Sequence, residues 1–171
     1  MIKTEKGWNM TEEEWKKAGE KKISEKERQE YEALRLDHQL CFPLYAASRE
    51  VVKQYTPYLK PLGLTYTQYI TLMVLWEDRK LRVGDLGQKL FLDTGTLTPL
   101  LKKMEESGLV KRTRSQEDER VVLVEITEKG MDLRDKLKDV PGLVAPCIKL
   151  SEDDAMILYH ELYKILQGFT K

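Results

Sequence analysis

Between Arg82 and Leu90 the apolar positions Val83, Leu86, Gly87 and Leu90 recur at i, i+3, i+4 and i+7, the spacing of a helix with one buried face. Phe91-Leu92-Asp93-Thr94-Gly95 follows, an apolar pair and then residues that favour a tight turn and a helix N-cap. A second periodic run points Leu97, Leu100, Leu101 and Met104 inward and leaves Thr94, Thr96, Thr98, Lys102 and Lys103 outside. Ser107-Gly108 stops it, since glycine accepts the left-handed C-cap conformation. Pro99 is awkward in a helix interior, so the regular helix is expected to start near Thr96, leaving Pro99 in or near its first turn. The period then changes. Leu109–Arg114 reads as a strand carrying three cations, Ser115–Arg120 as a polar loop, and Val121–Ile126 as a strand rich in β-branched residues.

Helical spacing returns on both flanks. Leu40, Leu44, Val51, Val52 and Leu59 mark a long helix, and Thr65 with Gln68 begins another whose buried face includes Tyr69, Leu72, Met73 and Trp76. Thr127–Val140 and Ser151–Gln167 are expected to form two closing helices. The last carries Met156, Ile157, Tyr159, Leu162, Tyr163, Ile165 and Leu166, more apolar surface than a lone outer helix should expose, and symmetric packing between two copies would bury it. Upstream, Thr11–Leu34 is dominated by Glu and Lys, with capping-box spacings at Thr11–Glu14 and Ser24–Glu27. Two short solvated helices are predicted, which Trp8 and Trp15 can anchor; surface helices with no specific task are the plainer alternative.

Helix, turn, helix, basic strand, loop, strand is the order of a winged helix-turn-helix, whose partner is double-stranded DNA. The expected fold is mainly α with a small β-hairpin (α+β), with N- and C-terminal dimerisation helices. Residues 1–34 form a charged helical extension, 35–62 with 128–171 the helical dimerisation region, and 63–127 the DNA-binding domain. A twofold homodimer implies a pseudopalindromic operator with half-sites near one helical turn apart.

The exposed face of the second helix suits DNA. Its threonines Thr94, Thr96 and Thr98 offer hydroxyls to phosphates or base edges and methyls to thymine, and Lys102 and Lys103 attract phosphate whatever the sequence. The bland alternative is a solvated polar face on a core helix. Arg112 and Arg114 on the first strand can lie along the backbone. The loop Ser115-Gln116-Glu117-Asp118-Glu119-Arg120 is acidic for a wing, so Asp118 or Glu119 is expected to orient an arginine, and Arg120 is the candidate for a narrow minor groove.

Global charge adds nothing to this attraction. The chain of 171 residues balances 29 Lys and Arg against 29 Asp and Glu, so DNA affinity has to come from local charge such as the five cations in Lys102–Arg114. No apolar run approaches the length of a membrane span and Met1–Lys6 does not open a signal peptide, which places the expectation in the cytoplasm. The sequence shows no cysteine–histidine constellation, no phosphate-binding glycine loop and no metal motif, so no enzyme, cofactor or metal is expected; His38 and His160 read as surface or packing residues.

Asp93-Thr94-Gly95-Thr96-Leu97-Thr98-Pro99-Leu100-Leu101, with Glu117-Asp118-Glu119-Arg120 and Thr127-Glu128-Lys129-Gly130, resembles the MarR family of bacterial transcription regulators. Leu40-Cys41-Phe42, Tyr45 and Ser48-Arg49-Glu50 narrow the resemblance to the branch that senses organic hydroperoxides, often called OhrR. It covers roughly Leu36 to Gly142 and leaves out the first thirty or so residues. It implies that Cys41 is the peroxide sensor, that hydroxyls at Tyr45 and Tyr55 hold its thiolate, and that Pro99 and the polar positions named above belong to the DNA-binding set. At 1.5 Å per residue Tyr55 lies about 21 Å along the helix from Cys41, so a bond between them has to come from a second subunit. Pro43 can kink this helix, or can mark a new helix beginning near Cys41. The plain alternative for Cys41 is a small buried hydrophobe.

The chemistry implied is thiolate attack on the peroxide, giving a sulfenic acid that condenses with another thiol or is oxidised further. In some relatives a second cysteine resolves the sulfenic acid, and Cys147 is the candidate; in others small cellular thiols do so. Two further readings compete. One is a regulator of the same fold answering a small aromatic ligand or a broader thiol-redox signal, and the other is a thiol peroxidase using Cys41.

Overall fold

The computed structural model describes Lys26 and residues 30–169. The expectations for Thr11–Glu14, Ser24–Glu27, Trp8 and Trp15 therefore fall outside the described residues. The chain divides into two compact units, Met1–Ala47 and Ser48–Lys171.

In the described part of the first unit, 3-10 turns at Glu32–Leu34 and Leu36–His38 lead to helix α1, Cys41–Leu59. Arg35 ties the turns together, bonding Asp37 through Nε at 3.1 Å and Nη2 at 2.6 Å. Because α1 begins at Cys41, Pro43 lies in its first turn, where a backbone N–H has no helical partner to lose; a new helix start, and not a kink, is the outcome of that proline.

The second unit contains the rest of α1 and then α2 (Tyr66–Asp78), β1 (Lys80–Arg82), α3 (Val83–Leu90), α4 (Thr94–Glu106), β2 (Val110–Arg114), β3 (Val122–Ile126), α5 (Glu128–Leu137), α6 (Val140–Val144) and α7 (Glu152–Gln167). The capping box expected at Thr65 is present: its side chain accepts from the Gln68 N–H, and the Gln68 side chain accepts from the Thr65 N–H. The buried face of α2 falls on Tyr69, Leu72 and Leu75, with Met73 on the exposed side, which corrects the placement of Met73.

The sheet has three antiparallel strands in the order β1-β3-β2, so the expected hairpin gains a third strand. Lys80, Leu81 and Arg82 pair with Glu125, Val124 and Leu123. Three residues are too few to show a period, and β3 supplies the pairing that the segment's own pattern cannot announce. β3 is thus central, and its Val124 is fully buried.

The core joins Leu72 and Leu75 of α2, Leu86 of α3, Leu97, Leu101 and Met104 of α4, and Val110 and Val124 of the sheet. Leu133, Leu137, Val140 and Val144 extend it, spaced as one helical stripe although two helices carry them. The single helix expected over Thr127–Val140 ends at Leu137. Pro141 has no N–H to donate back to the Leu137 carbonyl, so the chain restarts as α6 with that proline in its first turn. No residue of α7 is buried.

Candidate nucleic-acid interface and sensor cysteine

Asp93 decides where α4 starts. Its carboxylate accepts the Thr96 N–H and the Thr96 hydroxyl, each at 2.9 Å, and these donors hold the Asp93 carboxyl below the usual carboxylate range. With the cap in place the helix begins at Thr94, two residues before the expected start. Pro99 consequently lies inside the helix and not in its first turn. One turn back, the Gly95 carbonyl loses its helical hydrogen-bond partner to that proline.

The threonines are partly spent. Thr96 gives its hydroxyl proton to Asp93, and Thr98 gives its own to the Thr94 carbonyl at 2.8 Å, so each hydroxyl has accepting capacity left for a partner. Thr94, Thr96, Thr98 and Pro99 are all exposed. Lys102 and Lys103 are exposed as well, Lys102 lying 3.9 Å from Glu106.

In the wing, Asp118 is the carboxylate that orients Arg120. Its Oδ1 accepts the Arg120 N–H at 3.0 Å and its Nε–H at 3.3 Å. The loop is closed by the Ser115 N–H to Val121 carbonyl bond at 2.8 Å and the Val121 N–H to Asp118 carbonyl bond at 2.9 Å. The Arg120 side chain remains 93% exposed. Arg114 is exposed at the end of β2. Arg112 is different: it is turned onto Glu105, with Nη2 2.7 Å from Oε2.

A groove of about 390 Å³ runs between α4 and the wing, lined by Arg82, Asp85, Thr94, Thr98, Arg112 and Arg120. Arg82 and Glu105 were missed by the sequence reading. Arg82 reaches the groove because β1 pairs with the wing strand, a contact with no local signature, and Glu105 meets Arg112 only through the turn after α4.

Cys41 is exposed at the first residue of α1, with its Sγ 4.0 Å from Gln39 Oε1. A buried hydrophobe it is not. Tyr45 is exposed one turn further along. Tyr55, near the other end of α1, is half-buried in an aromatic cluster of the second unit. Its ring centroid is 4.9 Å from that of Tyr66 and 5.7 Å from that of Tyr69, and Tyr69 stands edge-on to Trp76 at 6.1 Å. Burial pushes the phenols of Tyr55, Tyr66 and Tyr69 upward, which keeps them protonated and able to donate. Tyr66 was also missed, and the signal for it was available: it directly follows the Thr65 cap and so starts α2 on the side that Tyr55 packs against. Cys147 is exposed in a 3-10 turn, Ala145–Cys147, of the second unit. Among the described residues no group of three or more His, Cys, Asp or Glu side chains could hold a metal ion, and no helix is long and apolar enough to cross a membrane.

The chain's likeness to known proteins follows this geometry. Residues 53–137 match the family model described as transcriptional regulator SarA/Rot. The organic hydroperoxide resistance transcriptional regulator of Bacillus subtilis is 48% identical over 137 residues, 80% of this chain and 93% of that protein. The HTH-type transcriptional regulator SarZ of Staphylococcus epidermidis is 45% identical over the same shares. Among solved structures, reduced AbfR bound to DNA superposes with a TM-score of 0.67 at 34% identity, covering 84% of this chain and 99% of that one. With the three-stranded wing, the capped α4 and a cysteine opening α1 all in place, these likenesses converge: the chain belongs to the MarR family of winged-helix transcription regulators, in the branch of the organic hydroperoxide resistance regulators.

Proposed function

We propose that the protein is a homodimeric repressor that holds a pseudopalindromic DNA operator with α4 and the wing, and releases it when an organic hydroperoxide oxidises Cys41. The observation that carries the reading is the exposed Cys41 thiol at the start of α1 in a chain 48% identical to an organic hydroperoxide resistance regulator. Solved AbfR structures include reduced and overoxidised forms bound to DNA and, separately, a disulfide form, so a structural neighbour changes thiol oxidation state, which favours a redox role for Cys41.

The Cys41 thiolate attacks one peroxide oxygen; the O–O bond breaks, an S–O bond forms, and the alkoxide leaves as an alcohol after taking a proton. The sulfenic acid then condenses with a thiol and expels water, the thiol being Cys147 or a small cellular thiol. Tyr45 and Tyr55 donate to the thiolate. Since Tyr55 and Cys41 lie near opposite ends of one helix, the Tyr55 phenol is supplied by the partner subunit. Losing those donors when sulfur acquires oxygen reorganises the dimer and separates the two copies of α4 from their half-sites. Within this reading α1 and α7 form the dimer, residues 63–127 bind DNA, and the protein works in the cytoplasm without a cofactor or catalytic turnover.

A mobility-shift titration tests it. Cumene hydroperoxide should release the wild-type protein from its operator and leave Cys41→Ser bound, while mass spectrometry of the treated wild type finds the added mass on Cys41. Equal release of the two proteins would refute the sensor assignment, and repeated peroxide turnover with a thiol reductant would favour a peroxidase.

A further inference from the structure

We propose that Glu105 is a positioning residue that clamps the wing to α4, and that Arg112, placed among the DNA-contacting cations on its charge, is the other half of that clamp. The inference rests on operator binding by α4 and the wing, and adds what holds those two elements at a fixed spacing.

Among the described residues β2 is an outer strand, paired with β3 alone. An outer strand presents backbone N–H groups to its open edge, and each wants an acceptor. At Arg112 the acceptor is a side chain: the Arg112 N–H donates to Glu105 Oε1 at 2.8 Å. The other carboxylate oxygen, Oε2, accepts from Arg112 Nε at 3.0 Å and from Nη2 at 2.7 Å. One carboxylate on the last turn of α4 therefore grips both the main chain and the side chain of one wing residue. Three hydrogen bonds to one carboxylate, one of them from the main chain, fix orientation as well as distance.

Exposure separates Arg112 from Arg120 at the wing tip. The Arg112 and Glu105 side chains are 27% and 35% exposed, against 93% for Arg120. The donors on Arg112 hold the Glu105 carboxyl below the usual carboxylate range, so the pair stays ionised and its charges cancel. A phosphate approaching Arg112 meets almost no net charge and displaces few counterions there. What the pair does supply is geometry. Thr94 and Thr98 on α4 and Arg120 on the wing face each other across the groove, and major- and minor-groove contacts made by them together require that this span not drift.

The test uses the full-length protein with Glu105→Ala, Glu105→Gln, Arg112→Ala, Arg112→Lys and the double Glu105→Gln/Arg112→Lys, titrated on operator DNA at several KCl concentrations. Each single change should weaken binding about tenfold with the slope of log K against log salt unchanged, and the double should be no worse than either single. Amide exchange of the DNA-free protein should quicken at the Arg112 N–H in Glu105→Ala. Glu105→Gln keeps one acceptor and carries the test where the alanine variant folds poorly. A contact between Arg112 and phosphate would instead flatten the slope by about 0.9 in Arg112→Ala and tighten binding once Glu105 is removed, and either result overturns the clamp. Wild-type protein that fails to bind the operator would refute the proposed function, whereas unchanged exchange at Arg112 refutes the clamp, so the two failures are told apart.

Discussion

The indole N–H of Trp76 donates to the Gly130 carbonyl at 3.0 Å, joining the last turn of α2 to the first turn of α5. Gly130 is where α5 meets the base of the wing. Its N–H is capped by the Thr127 hydroxyl at 3.1 Å, and that hydroxyl donates to the Gly108 carbonyl at 2.7 Å where α4 ends. A Cβ on Gly130 would run into the Leu109 carbonyl and come within 2.8 Å of Ile126 Cγ1. Tyr55, Tyr69 and Trp76 thus form a packed aromatic series that ends on the backbone from which the wing is hung.

Gly130→Ala should be destabilising, because the atom it would strike first is backbone and cannot rotate away. Overpacking of this sort costs about 1–3 kcal/mol, which a thermal melt reads as a drop of several degrees. Trp76→Phe should cost about 1 kcal/mol by removing the donor while keeping most of the ring. A Gly130→Ala melt equal to that of the wild type would show that α5 can shift freely against β2 and β3.

Acid should loosen α4. The Asp93 carboxyl titrates below its ordinary value of 3.8 because Thr96 donates to it twice, the backbone N–H contributing most. A carboxyl depressed in the folded state contributes stability that is complete above its unfolded value and is lost as pH falls through the folded one. Asp93→Asn retains a capping oxygen but has no proton to take up. Between about pH 2 and 5 its melting temperature should vary less with pH than that of the wild type; parallel curves would remove Asp93 from the acid response.

Arg120 should contribute to DNA affinity through charge. Arg120→Ala is expected to weaken operator binding and to reduce the salt slope by about one contact, since its side chain is 93% exposed and paired with Asp118. Affinity and slope both unchanged would take the wing tip off the DNA.

Dimer formation should depend on α7. Ile157 is 63% exposed, and Met156 and Tyr159 are more than half exposed beside it, an apolar surface that a second copy would bury. Ile157→Asp should leave helix content intact, shift the sedimentation profile toward monomer, and abolish high-affinity operator binding. Retention of the wild-type mass in solution would place the dimer contact elsewhere.

Much of this molecule is local in origin. The spacing of Leu97, Leu101 and Met104 made α4 a one-faced helix, Thr65 with Gln68 and the cap at Asp93 supplied starting points, and the β-branched run Val121–Ile126 forced a strand. Those features depend on residues within a turn or two of each other, so they can be read in one dimension. Cys41, Tyr45 and Tyr55 entered the sequence reading only through a resemblance to a family, which local pattern alone would not have supplied.

Relationships between distant segments were decided only by tertiary packing. β1 exists because Val124 and its neighbours offer it an edge, the closing helix breaks at Pro141 yet keeps its buried stripe, and Tyr66 enters the aromatic cluster because α1 and α2 meet there. Charge identified Arg112 as a cation, but a carboxylate seven residues earlier, brought to it by the turn after α4, determines what that cation can touch. Sequence specifies which groups a chain owns; which of them are left to face a partner is settled by the hydrogen bonds that folding makes first.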